Sequence, residues 1–352
     1  MIVYTCVFSY LFILSVIEIN GTKIKSIFKL LTVCLLVVIS GFRYEVGDDY
    51  NNYVNIFRAV EDYAETIEIG FALLNEAILN IGGNVQMLML VCAIFTIVPI
   101  ALVVNKEIPR FFNLGMSIYV FSYIYFEGMN TIRQALAMSL LLVAIYLLIK
   151  KKINPWFFGG LVVLGALFHT SAIFIGLFSF LLIKFVKRIN VKVLLCLLFL
   201  SFILGSFIVN IMNVLSAYIS FGIYDRYLNR IEERGVSSGF FHLFLNVFML
   251  YIVYLYHRFR KIISDSEKIY ILFFVISVIT YNLFFKFYIA LRFYWYFYLF
   301  SVLVIPILVS KDLYKYRLFT YLVLTIGMFF YTCISLNSLA YNNYIFNFDI
   351  FN

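Results

Sequence analysis

The chain has 352 residues, 64% of them hydrophobic and 13% charged, whereas a soluble domain carries about 25% charge. Apolar runs recur from one end to the other, which excludes a separate soluble domain. The net charge of +9 is carried between those runs and fits anionic membrane lipid, with no basic patch for nucleic acid.

Read in chain order, runs near the ~20 residues needed to cross the hydrocarbon core predict helical spans. They fall at 1–19, 26–42, 85–104, 111–127, 131–149, 155–168, 171–184, 192–210, 239–257, 268–286, 288–310 and 317–336. The first run lacks a basic leader and a small-residue cleavage site, so it reads as a retained span rather than a signal peptide. Residues 43–84 form a long outward loop. Within it, Thr66 to Ile81 places Ile69, Leu73, Leu74, Ala77 and Ile78 at helical spacing opposite Glu68, Asn75 and Glu76. That pattern predicts an interfacial helix acting as a lid or platform. The pair 155–168 and 171–184 is short for two full spans and is broken at His169-Thr170-Ser171. A tight hairpin with His169 at its tip fits the charges, whereas one long tilted helix would reverse every later segment. A second outward loop covers 211–238 and holds Arg226, Arg230 and Arg234, interleaved with acids as a solvated face. The fold class expected is an all-α polytopic integral membrane protein, a single transmembrane domain over 1–352 with about twelve helices.

The five cysteines lie inside apolar runs without metal-ligand spacing and read as small buried hydrophobes. The three histidines occupy different segments, no metal constellation appears, and no nucleotide-binding loop is present, so neither metal nor cofactor is expected.

Charge assigns the sides. Lys23, Lys25 and Lys29 fall in the first connection of one set, followed by Lys106 with Arg110 and then Lys150, Lys151 and Lys152. The set continues with Lys184, Lys187, Arg188 and Lys192, then Arg258, Arg260, Lys261 and Lys268, then Lys311, Lys315 and Arg317. These connections alternate correctly if all face the cytoplasm, as the positive-inside rule requires. Both termini and the long loops then face outward.

Ionisable residues beside the outer ends of spans are the candidates for function. They are Arg43, Asp48 and Asp49 in GFRYEVGDDYNNY, Glu127 and Arg133 in EGMNTIRQALAM, His169 in FHTS, and Lys286 and Arg292 in KFYIALRFYWYF. Topology brings all of them to one leaflet level, where a single extracytoplasmic site is expected. Several arginines suit a phosphate or diphosphate, whose oxygens match the guanidinium fork. Tyr44, Tyr50, Tyr53, Tyr294, Tyr296 and Tyr298 offer rings with hydroxyls for sugars. Asp48, Asp49 and His169 are the candidate proton acceptors, and a histidine titrates nearest the operating pH.

At these residues the sequence resembles the EpsG-type family, a branch of the Wzy-like bacterial polysaccharide polymerases. Three motifs carry the resemblance: Arg43-x-x-x-Gly47-x-Asp49-Tyr50, then Arg133-Gln134 with Ala135 and Ala137, then Phe168-His169-x-Ser171. Arg292-Phe293-Tyr294 agrees in position. The resemblance implies polymerisation of undecaprenyl-diphosphate-linked oligosaccharide repeat units on the outer face of the bacterial cytoplasmic membrane. Donor and acceptor would both be lipid-linked glycans in the lipid bilayer, accompanied by a flippase and a chain-length regulator. Arg43, Arg133 and Arg292 would hold the diphosphate, with Tyr50, Gln134, Glu127, Tyr53 and Tyr294 around the substrate and His169, Asp48 and Asp49 as catalytic groups. The tail AYNNYIFNF fits the family only loosely and takes no role. A flippase of lipid-linked sugars, or another membrane transferase such as an O-antigen ligase-like enzyme or acyltransferase, remains an alternative reading of the same residues.

Overall fold

The computed structural model describes residues 2–63, 65–185, 190–218, 239–285, 288–337, 339–342 and 344–351. Arg226, Arg230, Arg234, Lys187, Arg188 and Lys286 lie outside these. The helices in chain order begin with α1 (Ile2–Ile19), α2 (Ser26–Gly41), α3 (Tyr50–Arg58), α4 (Val60–Tyr63), α5 (Ile69–Asn80) and α6 (Val85–Glu107). Next come α7 (Phe112–Phe121), α8 (Ile124–Asn130), α9 (Ile132–Ile149), α10 (Pro155–Ala166), α11 (Ser171–Phe185) and α12 (Val191–Tyr218). The last are α13 (Gly239–Phe259), α14 (Asp265–Phe284), α15 (Tyr288–Tyr298), α16 (Ser301–Lys311), α17 (Arg317–Leu336) and α18 (Leu339–Asn342). Two short strands, β1 (Arg43–Tyr44) and β2 (Ile345–Phe346), pair antiparallel with Arg43 opposite Phe346.

Among the described residues, six helical stretches are long and apolar enough to cross a membrane: Ile2–Ile19, Val85–Glu107, Ile132–Ile149, Asp265–Phe284, Ala290–Lys311 and Tyr314–Leu336. Shorter apolar helices stand beside them at Ser26–Gly41, Pro155–Ala166 and Ser171–Phe185. Large apolar side chains such as Phe95, Phe174, Phe199, Ile326 and Ile334 stay exposed on helix surfaces. Such a surface suits lipid and not water, so the chain is a multi-pass membrane protein.

The hairpin at 155–184 forms as two helices. Phe158 stacks on Phe180 at 6.1 Å, Val162 meets Gly176, and Gly165 meets Ala172, an antiparallel register that turns around His169. The run 111–127 does not form one span. It breaks at Ser122-Tyr123, where Tyr123 takes the left-handed φ of 68°. No glycine or proline marks the place. Helix α12 runs to Tyr218, past the expected start of the second outward loop, because its apolar sequence has no stop signal before that point. Of the cysteines, only Cys92 is buried, while Cys6, Cys34 and Cys196 are exposed on helix surfaces.

Two compact units make up the chain: residues 1–180 with 305–352, and residues 181–304. In the first unit, the connections rich in Lys and Arg meet at one end. Lys29 Nζ donates to Asn105 Oδ1 at 2.9 Å and to the Pro109 carbonyl at 2.5 Å. Lys150 pairs with Glu107 at 2.9 Å, Tyr314 donates to the Asn20 carbonyl at 3.0 Å, and Arg317 lies over the Phe111 ring. Glu18, fully buried at the end of α1, accepts from the backbone N–H groups of Asn113 and Leu114 and anchors the first turn of α7.

The opposite end is built by residues 43–84. Tyr50, Tyr53, Ile56 and Phe57 of α3, with Phe71 and Ile78 of α5, pack on Leu88, Met89 and Cys92 of α6 and on Ile132 and Leu136 of α9. The segment read as a long loop is therefore a folded cap with its own apolar core. In the second unit, α12, α13 and α14 are joined by a polar cluster: His242 Nε2 meets Asn282 Oδ1 at 2.8 Å, and Asn282 also bonds Asn246 and Ser201.

Candidate functional site

The site grows from the turn after α2. Arg43 is 1% exposed. Its Nη1 donates to the Ser40 carbonyl at 2.6 Å, Nη2 to the Met129 carbonyl at 2.9 Å, and Nε to the Val46 carbonyl at 3.2 Å. Ser40 and Met129 lie in the last turns of α2 and α8, so two helix C-termini turn their partial negative charge on one guanidinium. No carboxylate pairs with Arg43 among the described residues. This side chain was expected to hold substrate, and in the structure its donors face backbone carbonyls that join two helix ends.

The turn that follows is fixed by backbone. Gly47 has φ 103°, a conformation other residues resist, and a Cβ there would stand 2.7 Å from Asn130 Oδ1. Its N–H donates to the Ala340 carbonyl at 3.0 Å, and the Asp48 N–H donates to Asn130 Oδ1 at 2.9 Å. The Asp48 side chain is left exposed, and Asp49 precedes the first turn of α3. Glu127 on α8 and Asp48 both act electrostatically on Tyr341 of the tail. Burial, with those two charges added, holds the Tyr341 phenol above its ordinary range.

Three residues beyond Asn130 comes Arg133, in the first turn of α9. Its Nη1 forms a very short ion pair with Glu68 Oε2. Glu68 Oε1 in turn accepts from the Thr170 N–H at 3.4 Å. Beside Thr170, His169 is 9% exposed with Nδ1 2.6 Å from Ser171 Oγ. Gly70, at the start of α5, donates to the Leu167 carbonyl at 2.8 Å. Two sets of contacts, Asp48 to Asn130 and Arg133 through Glu68 to the His169 turn, are thus joined by the short chain step from Asn130 to Arg133 and form one strip. Gln134, next to Arg133, is 1% exposed and lies in the helix packing.

The tyrosines sit differently from the sugar platform expected of them. Tyr50 and Tyr53 are 3% and 4% exposed, in the apolar core of the cap, with Tyr53 edge-on to Phe71 at 5.8 Å. Tyr44, 38% exposed and 6.0 Å from Tyr50, keeps a ring at the surface. Arg292 and Tyr294 belong to the second unit, where Tyr294 stacks on Tyr298 at 4.7 Å and meets Tyr281 edge-on.

Two contributors escape the sequence reading. Glu68 reads there as one polar residue of an amphipathic helix, and the signal for it was Gly70, two residues on, whose missing side chain permits the close approach to Leu167. The tail is the other: β2 pairs with β1, Asn84 Nδ2 donates to the carbonyls of Asp349 and Phe351, and Tyr341 donates to the Phe126 carbonyl at 3.3 Å. Helix α5 buries Phe71, Ala72, Asn75 and Ile78 in the cap and leaves Ile69 and Leu73 of its apolar stripe exposed.

Compared with known proteins, residues 26–349 match the model of a family described as the EpsG family. No curated protein and no solved structure matches.

Proposed function

The chain belongs to the EpsG family, and from that premise we propose that it polymerises lipid-linked oligosaccharide repeat units on the outer face of the cytoplasmic membrane. It would do so as a twelve-span protein whose Lys- and Arg-rich connections face the cytoplasm. In this reading the growing glycan moves from its polyprenyl diphosphate to a sugar hydroxyl of a new lipid-linked unit.

The observation that carries the reading is the placement of Arg133. It is the arginine of the strip whose guanidinium is turned to a carboxylate rather than to backbone, and its side chain keeps 23% exposure. Its partner Glu68 accepts from the Thr170 N–H, next to His169 in the chain, and Arg133 follows three residues after Asn130, which accepts from the Asp48 N–H, at the end of the first unit opposite the basic connections. A guanidinium there suits the donor diphosphate and the charge that grows on it as the glycosidic bond breaks. The acceptor oxygen attacks the anomeric carbon, the bond from that carbon to the diphosphate oxygen breaks, and the lipid diphosphate leaves. Direct displacement inverts the anomeric centre. The hydroxyl proton passes to His169, with Asp48 orienting a sugar hydroxyl. Arg292, in the second unit, is a separate candidate scored by its own substitution.

The test is to delete the gene in its host and resolve the lipid-linked glycans on a gel. The deletion is expected to collapse a ladder of long chains to single repeat units. Wild type restores the ladder, while Arg133→Ala and Arg133→Lys do not, since lysine keeps the charge but loses the fork. An unchanged ladder in the deletion strain overturns the reading. Accumulation of lipid-linked units on the cytoplasmic side would assign a flippase.

A further inference from the structure

The Arg133–Glu68 pair sits where the proposed chemistry needs an open guanidinium. Glu68 occupies both of its oxygens: Oε2 takes Arg133 Nη1 from α9, and Oε1 takes the Thr170 N–H, just before the first turn of α11. A guanidinium and a backbone N–H at a helix N-terminus are the donors that recur around phosphoryl groups. Neither partner is sealed off, because the Arg133 and Glu68 side chains keep 23% and 14% exposure. That partial exposure leaves the pair open to exchange with an incoming anion. Glu68 also leads directly into α5, whose N-terminus is tied to the same turn by Gly70 N–H to the Leu167 carbonyl at 2.8 Å. Ile69 and Leu73 on the outer side of α5 are 62% and 56% exposed, so the helix can shift outward without uncovering that face anew.

We infer that Glu68 is a resident stand-in for the substrate's phosphate, and that an incoming lipid diphosphate displaces it from Arg133 and the Thr170 N–H. Displacement removes the Glu68 tie and leaves the Gly70–Leu167 bond, which loosens the N-terminal end of α5 on the hairpin turn next to His169. This inference rests on the assignment of Arg133 to the diphosphate. The exchange discriminates by charge. A monoanionic phosphodiester, the headgroup charge of bulk phospholipid, brings no more than the carboxylate it must replace. A diphosphate brings more charge and two phosphoryl groups for the fork. Glu68 thereby keeps Arg133 from being occupied by the surrounding membrane, and it acts as a specificity-determining residue.

The experiment uses the full chain in phosphatidylcholine nanodiscs, with farnesyl diphosphate as probe and farnesol as the phosphate-free control. Wild type is expected to bind the diphosphate and not farnesol, with faster amide exchange over residues 66–80 when the probe is present. Glu68→Gln is expected to bind about two- to fivefold tighter, because removing a competing carboxylate of this exposure returns about the strength of one surface ion pair. Glu68→Asp, one methylene shorter, should fall between the two. If Glu68→Gln matches or weakens wild-type binding while Arg133→Lys loses it, the displacement idea is overturned and the diphosphate assignment stands. If neither wild type nor Glu68→Gln binds, the assignment of Arg133 fails and this inference fails with it. Unchanged exchange over 66–80 on probe binding overturns the loosening of α5, a readout on wild type that needs no variant to fold.

Discussion

Arg43 and Arg133 carry the same group to the same end of the first unit and use it in opposite ways. Arg43 spends its donors on the carbonyls of Ser40, Val46 and Met129 and is sealed from solvent. Arg133 meets a side-chain carboxylate at a partly open surface. Arg43→Lys removes the fork and leaves two buried helix-end carbonyls poorly matched, which should cost about 2–4 kcal/mol. In detergent, the unfolding midpoint of that variant is expected to fall clearly. The midpoint of Arg133→Lys should stay within about 0.5 kcal/mol of wild type, as for a surface change. Equal falls in both would erase the distinction between a structural and a binding arginine. In the sequence the two look alike, each an arginine at the outer end of an apolar run. What separates them is which carbonyls converge on them, and convergence of α2 with α8 is a tertiary fact that no local pattern carries.

Helical elements were legible to the extent that length and charge forced them. The hairpin α10–α11 follows from having too few apolar residues for two full spans between two basic clusters, with His169-Thr170-Ser171 as the break. The break at Ser122-Tyr123 was not legible, since neither residue is a helix breaker and the strain at Tyr123 is held by surrounding packing. On α5 periodicity names the apolar stripe of Ile69, Leu73 and Ile78, but the burial of Phe71 and Asn75 is set by the docking partner, which no period announces. The hairpin offers a sharp test of packing against propensity. A Cβ on Gly176 would stand 2.5 to 2.6 Å from the Val162 methyls, while one on Gly160 would meet nothing within 4 Å. Alanine in an open helix position stabilises by about 0.5–1 kcal/mol relative to glycine. At Gly176 that gain is opposed by overpacking of about 1–3 kcal/mol. Gly160→Ala should therefore leave the unfolding midpoint equal or raised, and Gly176→Ala should lower it. The reverse order would mean that α10 and α11 do not pack in the register described.

At the scale of the whole molecule, charge sorted the connections of the first unit correctly. Those bearing Lys29, Arg110, Lys150 and Arg317 touch one another or their neighbours, and the connections carrying the candidate residues gather at the other end. The part that sequence reading set aside is the tail, yet the tail closes that second end. Residues 340–351 supply an acceptor for Gly47, a strand for Arg43 and Tyr44, and carbonyls for Asn84. The alternation of Phe346, Phe348 and Ile350 with Asn347 and Asp349 hints at an extended segment, but not at its partner, because each contact is made to a distant segment and not to a neighbour. The family match extends to residue 349 and so includes the tail. Truncation after Leu336 removes no span, so the shortened chain should still insert and accumulate in the membrane. It should nonetheless lose the glycan ladder, and a protease added on the side that bears the cap should begin to cut within residues 43–84, where the cap has lost its strand partner and the Gly47 turn its acceptor. Wild-type protease resistance of that cap in the truncated protein, together with a normal ladder, would show that the tail only decorates a site completed by α2, α8, α9 and the hairpin.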